Sequence, residues 1–240
     1  MRAAVAVVVA ALASGLVVAP GVASAPASPE RVVAAAWEQG GYPLPHTPAY
    51  RRVRFALYAD GRLLTPDGSD RHGVPAYAVA DLDRAQALGL RRALMRTTAG
   101  VDFGVVPVLD APDTRTRASL RGRVVHARVN ALGLDGMITE AQRRARERLR
   151  AVIERADAFP ARAWAPAAFE VRRLPVDEAS IALEWPGPEL PPGECGTIPA
   201  EEYGAFPESF AQGNAYTADG RAFALWVRPL LPGQQGCRGY

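Results

Sequence analysis

The sequence predicts an α+β domain: a mainly antiparallel sheet built from hairpins, with two principal helices at about residues 81–98 and 139–158. Two observations lead to this fold class. Several segments alternate apolar and polar residues and then reach a turn signal, which is the pattern of antiparallel hairpins. Strands and helices are also segregated instead of alternating strictly, and no glycine-rich phosphate loop follows a strand. An α+β domain is therefore favoured over a doubly wound parallel sheet.

An export signal is predicted over residues 1–25. Arg2 precedes an unbroken apolar run that ends in small residues, and the next charged residue is Glu30. A cation, an apolar core and small residues for cleavage are the parts of a secretory signal. An uncleaved membrane anchor is the alternative, because the run approaches the ~20 residues that span a bilayer. Gly15 and Pro20 favour cleavage, and both alternatives export the rest of the chain.

Residues 26–52 are predicted to form a short helix and a Pro-rich connector, ahead of a single α+β domain at 53–240. The helix lies in SPERVVAAAWEQGG and ends at Gly40 and Gly41, because glycine commonly terminates helices. The following YPLPHTPAY is rich in proline and is interpreted as irregular.

Hairpins are predicted where alternating segments meet turn residues. In RVRFALYADGRLL the alternation leads into Asp60-Gly61, and ADGR recurs before the strand-like AFALWV. Glycine supplies a positive φ and aspartate tolerates the left-handed region, so the second ADGR reflects turn chemistry and not a tandem repeat. A further hairpin turns near Arg121-Gly122, and AAFEVRRL and ASIALEW are predicted strands.

Both helices carry start signals. Asp81 is positioned to cap the first helix, and Gly100 suits its end. Thr139 and Gln142 form a capping box at the start of the second helix. The second helix has one apolar face at helical spacing, made by Ile138, Ala141, Ala145, Leu149, Val152, Ile153 and Ala156.

The charge is unevenly distributed, with a basic middle and an acidic end. All 28 residues in the Lys and Arg total are arginine, which excludes Schiff-base and other lysine-dependent catalysis. Residues 114–156 carry eleven arginines against four acids, whereas 157–240 carry six against eleven. These charges either pair with one another and are exposed to solvent, or they form a face that binds a polyanion. The candidate polyanion contacts are Arg143, Arg144, Arg146, Arg148 and Arg150.

The interleaved Glu140, Glu147 and Glu154 favour the paired, solvated alternative for this helix. If the face binds a polyanion, the partner in an exported protein would be an anionic envelope polymer or lipid. Another exported protein is the remaining kind of partner, and no nucleic acid is expected.

Cys195 and Cys237 are the only cysteines, and an isolated pair in an exported protein is predicted to form a disulfide. The bond would tie the Pro-rich WPGPELPPGECG stretch to the C-terminus. A catalytic thiol is not expected, because neither cysteine lies beside a histidine or in a CxxC pair. No His or Cys residues stand at metal-ligand spacing, so neither a metal nor a cofactor is expected.

The densest polar cluster is LTPDGSDRHGVP. Its Pro-Asp-Gly is a turn signature, so a solvated loop is the favoured interpretation. Asp67, Asp70 and His72 are the first catalytic suspects, since carboxylates, a histidine and a serine occur together. Adjacent loop residues do not easily converge in the order that a triad needs. His46 is interpreted as a loop residue and His126 as a residue on one face of a strand.

Several segments resemble a group of exported or lipid-anchored proteins from high-G+C actinobacteria. They are the strand ending in Asp-Gly, GVDFG, the helix ITEAQRRARERLRAVIERA and the terminal WVRPLLPGQQGC, of which RPLLPG before Cys237 is the most specific. The resemblance covers most of residues 53–237, and it implies an exported protein with no assigned activity or site residues. Many members of the group have a lipid-accepting cysteine after the signal, which this chain lacks, so free secretion is expected.

Three functional hypotheses follow. The leading one is a non-catalytic exported protein that binds or supports the cell envelope, because no GxSxG, SxxK, HExxH, P-loop or EF-hand motif occurs. The second is an envelope hydrolase whose carboxylates converge only in the fold. The third is a secreted protease inhibitor that presents GPELPPGECGTIP as a rigid loop, since proline and a disulfide lower the entropy cost of binding.

Overall fold

The computed structural model describes residues 30–41, 51–176, 182–218 and 220–237. The predicted export signal, His46 and most of the Pro-rich connector lie outside these residues. The strands of the first sheet are β1 to β7: Val32–Gln39, Arg52–Tyr58, Arg62–Ser69, Pro75–Asp81, Asp113–Leu120, Arg123–Asn130 and Arg162–Ala163. The second sheet contains β8 to β12: Ala168–Pro175, Leu183–Glu184, Cys195–Pro199, Ala215–Ala218 and Arg221–Pro229. Helices α1, α2 and α3 are Arg84–Thr98, Glu140–Asp157 and Ala200–Gly204.

Both sheets are mostly antiparallel and contain hairpins, which confirms the predicted α+β class with two main helices. The first sheet has the strand order β6-β5-β1-β2-β3-β4-β7, and its neighbouring strands are antiparallel. The second has the order β10-β8-β12-β11-β9, in which the short β9–β11 pairing is parallel. None of the helices in the described ranges combines the length and the apolar character of a bilayer-spanning segment.

The predicted N-terminal helix is wrong, because Val32–Gln39 is an interior strand of the first sheet. It pairs with β2 on one side and with β5 on the other. The alanines of VVAAAWEQ favour a helix in isolation, but propensity is a weak preference that tertiary pairing overrides. Ala34 and Ala36 are fully buried, and their small side chains leave room for the helices that cover this face.

The predicted turns at Asp60-Gly61 and Arg121-Gly122 are confirmed. Gly61 has φ +96°, and a Cβ there would stand 2.7 Å from the carbonyl oxygen of Leu82. Arg121 and Gly122 both have positive φ, at 50° and 78°, as a two-residue type I′ hairpin loop requires. β11 and β12 are antiparallel neighbours, with Ala218 opposite Arg221.

The helix starts are only partly as predicted. Thr139 and Gln142 form the expected capping box of α2. α1 is capped by Asp83 instead of Asp81, because Asp83 has Gln86 three residues later to complete a capping box. Asp81 is the last residue of β4.

The two long helices cover one face of the first sheet, which we call the inner face. Leu90 and Leu94 of α1 and Leu149 and Ile153 of α2 are buried against it. Burying each of these side chains contributes roughly 1.5–3 kcal/mol. The opposite face, called the outer face, is left for other parts of the chain.

The second sheet is joined to the first by the β3–β4 connection and by the end of the chain. Val74 of that connection is buried in the core of the second sheet, together with Phe210 and Leu225. The predicted disulfide between Cys195 and Cys237 is present, with Cα atoms 5.6 Å apart. The chain end is thereby fixed beside the outer face.

Candidate ligand-binding site

Arginine side chains project from the outer face of β5. Thr114, Thr116 and Ala118 are buried, and Ala118 packs in the inner-face core. Successive side chains of a strand point to opposite faces, so Arg115 and Arg117 lie on the outer face. The two threonines and the alanine of β5 are therefore buried on the inner face, and its two arginines lie on the outer face.

The neighbouring strand extends these cations into a cluster that we call the arginine ladder, consisting of Arg115, Arg117 and Arg128. Arg128 of β6 lies opposite Arg115, and His126 lies opposite Arg117. Like charges directly across a sheet are destabilising, and the ladder therefore carries a repulsion that an anionic ligand would relieve. Asp113 offsets part of it through a 2.7 Å ion pair with Arg128.

Trp37 continues the ladder onto β1. It is the cross-strand partner of Arg115, and the guanidinium of Arg51 lies 5.5 Å from its ring centroid. Trp37 Nε1 and Arg115 Nε are buried, and neither has a hydrogen-bond acceptor among the described residues. A buried donor without an acceptor costs about 1–3 kcal/mol.

A groove begins beside the ladder, between the outer face and the C-terminal segment 231–235. It consists of two cavities of about 590 and 440 Å³, which fall within the range of about 300–1,000 Å³ typical of ligand sites. Trp37 and Arg117 line the first cavity, and Tyr77 and Trp226 line the second. The cavities adjoin, because both are lined by Arg51, Val53, Arg228, Leu231 and Gln234.

The walls of the groove are largely apolar, and its charges are mainly positive. The apolar wall residues include Val32, Val53, Ala56, Tyr58, Ala76, Tyr77 and Leu231. Burial raises the pKa of Tyr58 and of Tyr77, so both hydroxyls stay protonated. Among the described residues, Glu30 is the only carboxylate lining either cavity, against four arginines: Arg51, Arg52, Arg117 and Arg228.

Glu170 of β8 holds the C-terminal wall of the groove in place. It is fully buried and accepts hydrogen bonds from Arg172 Nε at 2.7 Å, Arg228 Nη2 at 2.8 Å and the Cys237 N–H at 2.9 Å. Burial by itself would raise the pKa of Glu170, but the hydrogen bonds from these groups outweigh burial and lower the pKa to about 2. The carboxylate is therefore charged at neutral pH and fixes both Arg228 and the chain end.

Arg146 of α2 is not a polyanion contact, contrary to the sequence prediction. Its side chain is fully buried, and its guanidinium donates to the carbonyl oxygens of Phe103, Gly104, Ala131 and Leu134. The sequence placed it on the charged side of an amphipathic helix, but two loops fold over that position. Arg146 instead joins these loops to the helix.

The other predicted contacts on α2 are mostly paired with acids of the same chain. Glu140 accepts from two arginines and Asp135 from a third, which are Arg143, Arg144 and Arg150. Arg148 is exposed. The paired, solvated interpretation therefore describes this helix better than a polyanion-binding face.

Asp70 organises the β3–β4 connection. Its Oδ1 accepts hydrogen bonds from the backbone N–H of His72 at 2.8 Å and of Val74 at 3.0 Å. The hydroxyl of Tyr203 donates to its other oxygen, and burial together with this contact raises the pKa of Tyr203. Asp67 is exposed near the end of β3. The two suspected carboxylates thus have different surroundings.

His72 is buried in the junction between the two sheets. Its Nδ1 lies 2.9 Å from the carbonyl oxygen of Phe210, and its Nε2 accepts a 3.0 Å hydrogen bond from Arg71 Nε. Both ring nitrogens are engaged, so His72 anchors the connection and is not placed to exchange a proton with a substrate. His126 is exposed on β6, as expected for a strand residue.

The arginine ladder was not predicted from the sequence, although a signal for it existed. In DTRTRASL two arginines stand two residues apart, and this spacing places them on one face of a strand. Trp37 could not be added to them, because its segment was expected to be helical. The partnership of these residues depends on β1 inserting between β2 and β5.

Among the described residues, no group of three His, Cys, Asp or Glu side chains is placed to hold a metal ion. No protein-family model, curated protein or solved structure matches this chain.

Proposed function

We propose that the protein is an exported, non-catalytic binding protein of the cell envelope, and that the arginine ladder binds an anionic envelope polymer. The observation that carries this proposal is the row of like-charged side chains on one face of the sheet, where Arg115 lies opposite Arg128 and Arg117 follows on the same strand. The disulfide supports an oxidising compartment, and the N-terminal sequence pattern supports export.

The chemistry of the ladder suits phosphate or carboxylate groups. Guanidinium groups bind such anions through two parallel hydrogen bonds. Arg115 and Arg117 are separated by about 7 Å along β5, and neighbouring strands lie about 5 Å apart. Several anionic groups in one chain can therefore contact the ladder together, which favours a polymer over a single small anion.

The two other hypotheses have less support in the described residues. The hydrolase hypothesis needs an available base, whereas His72 and Asp70 are engaged in holding the β3–β4 connection. The inhibitor hypothesis needs a protruding loop, whereas Leu190 is buried and Arg173 donates to the carbonyl oxygens of Pro191 and Gly193.

Binding of the mature protein to inorganic polyphosphate and to poly(glycerol phosphate) across a salt titration tests the proposal. Arg115→Gln combined with Arg117→Gln should weaken binding at least about ten-fold and flatten its salt dependence, because exposed charge contacts are screened by salt. Arg143→Gln combined with Arg144→Gln is the matched control. It removes the same charge from α2, where both arginines already pair with Glu140.

Equal losses in the two double variants would mean that net charge alone attracts the polymer, and the assignment of the ladder would be wrong. Absence of binding by the unaltered protein at low salt would refute the proposed function itself. Circular dichroism of each variant establishes that a loss of binding is not a loss of fold.

A further inference from the structure

We propose that the groove beside the arginine ladder holds the alkyl chain of an anionic amphiphile, whose headgroup contacts the ladder. This inference rests on the proposed function, and it adds the chemical class of a second part of the ligand. A polymer anion alone would occupy the ladder and would leave the groove without a role.

The groove has the size and the wall chemistry that an alkyl chain requires. Val32, Val53 and Leu231 pack in or against an apolar cluster on the outer face of the sheet, together with Tyr58 and Tyr77. These five side chains also line the cavities. Transfer of apolar surface from water into such a site is favourable in proportion to the area buried.

The position of the ladder gives the ligand a direction. Arg117, a member of the ladder, lines only the first cavity, whereas Arg51 and Arg228 line both cavities and Arg52 lines only the second. The second cavity lies farther along the outer face, toward Tyr77 and Pro75. With the headgroup on the ladder, the chain extends through the first cavity toward the second.

The C-terminal wall of the groove is held in place by contacts within the protein that do not involve a ligand. Arg228, which lines both cavities, is bound by Glu170. The Leu231 N–H donates to Gln234 Oε1 at 3.1 Å, and the Gln234 N–H donates to the Leu231 carbonyl at 2.9 Å. The Cys195–Cys237 disulfide closes this segment onto the second sheet. The groove is thus preformed, which lowers the entropy cost of binding.

Calorimetric titration of the mature protein with dodecanoate, octanoate and neutral dodecanol is the test. Dodecanoate should bind with one molecule per protein, and affinity should rise about four-fold for each added methylene, the equivalent of about 0.8 kcal/mol. Dodecanol should bind at least about ten-fold more weakly than dodecanoate, because it lacks the charge that the arginines attract.

Val53→Trp is designed to fill the groove where the cavities adjoin, and it should reduce dodecanoate affinity at least about ten-fold while polyphosphate binding persists. Val124→Trp is the matched control, since Val124 is 45% exposed on β6 and lines neither cavity. Ala76→Phe, which enters the second cavity from β4, replaces Val53→Trp if that variant does not fold.

A membrane lipid and a free fatty acid share this chemistry, and vesicles distinguish them. Transfer of labelled phosphatidylglycerol from vesicles into a one-to-one protein complex would identify a lipid source, and binding of monomeric dodecanoate alone would identify a free acid. Both outcomes support the inference. Equal affinity for octanoate and dodecanoate, or unchanged binding by both groove variants, would overturn it. Polyphosphate binding that remains sensitive to Arg115 and Arg117 would then still support the proposed function.

Discussion

The backbone N–H of Cys237 donates a 2.9 Å hydrogen bond to a carboxylate oxygen of Glu170. The end of the described chain is therefore tied to a fully buried charge in β8, in addition to its disulfide. Because Arg228 binds the same carboxylate, the C-terminal wall of the groove depends on one acidic side chain.

Glu170→Gln should lower the free energy of unfolding by about 3 kcal/mol or more, because the largely buried guanidinium groups of Arg172 and Arg228 lose the buried carboxylate that both of them bind. Glu38→Gln is the control, since the Glu38–Arg54 pair is wider, at 3.4 Å, and partly exposed. We expect this control to cost about 1 kcal/mol or less. Urea denaturation of both variants measures the difference, and equal effects would contradict the role given to Glu170.

The contribution of Glu170 to stability should disappear in acid. Its pKa falls from 4.5 to about 2 on folding, so the contribution is complete above about pH 4.5 and is lost as the pH falls toward about 2. Urea titrations of the unaltered protein and of Glu170→Gln at a series of pH values should show their difference shrinking over this interval. A difference that is constant with pH would mean that Glu170 is not charged in the folded protein.

Replacing Cys195 and Cys237 together by alanine should lower the free energy of unfolding by about 4 kcal/mol, by loop-closure entropy for a sequence separation of 42 residues. Because the chain end that lines the groove would no longer be held by the disulfide, we expect the groove to lose affinity for dodecanoate in this variant. The same titration after chemical reduction of the unaltered protein provides an independent check. Retention of both stability and affinity would show that the disulfide is dispensable.

Arg146→Met should destabilise the protein by about 3 kcal/mol, because the buried carbonyl groups that Arg146 binds would lose their donor. Arg148→Met is the matched control on the exposed side of the same helix. It should change stability only slightly, as surface substitutions usually do. Thermal unfolding of the two variants gives the comparison, and similar melting temperatures would contradict the structural role of Arg146.

Much of the fold was predictable, because local chemistry decides it. Thr139 and Gln142 exchange side-chain to backbone hydrogen bonds at the start of α2. Arg121 and Gly122 form a hairpin turn through their positive φ angles. Both features depend only on residues that are close in sequence. β1 was not predictable in this way. Its alanine-rich segment becomes a strand because two distant strands offer it backbone partners.

The candidate site was the least predictable part of the molecule. The candidate polyanion contacts in the sequence were arginines of α2. In the structure, Arg146 donates to backbone carbonyl groups, and three other arginines of this helix pair with Glu140 or Asp135. The candidate site contains instead the half-buried Arg115 and Arg117 of β5, which appeared in the sequence only as part of a hairpin.

By itself the sequence determined the α+β class, the hairpin turns at Asp60-Gly61 and Arg121-Gly122, the cap of α2, and the pairing of the two cysteines. These features follow from backbone preferences, short-range hydrogen bonds and the absence of other thiols. The tertiary structure alone decided that Trp37 lies beside Arg115 and that the chain end closes a groove over the outer face. The physical reason is that strand pairing and burial join residues far apart in sequence, and the energy of each such contact depends on all the others.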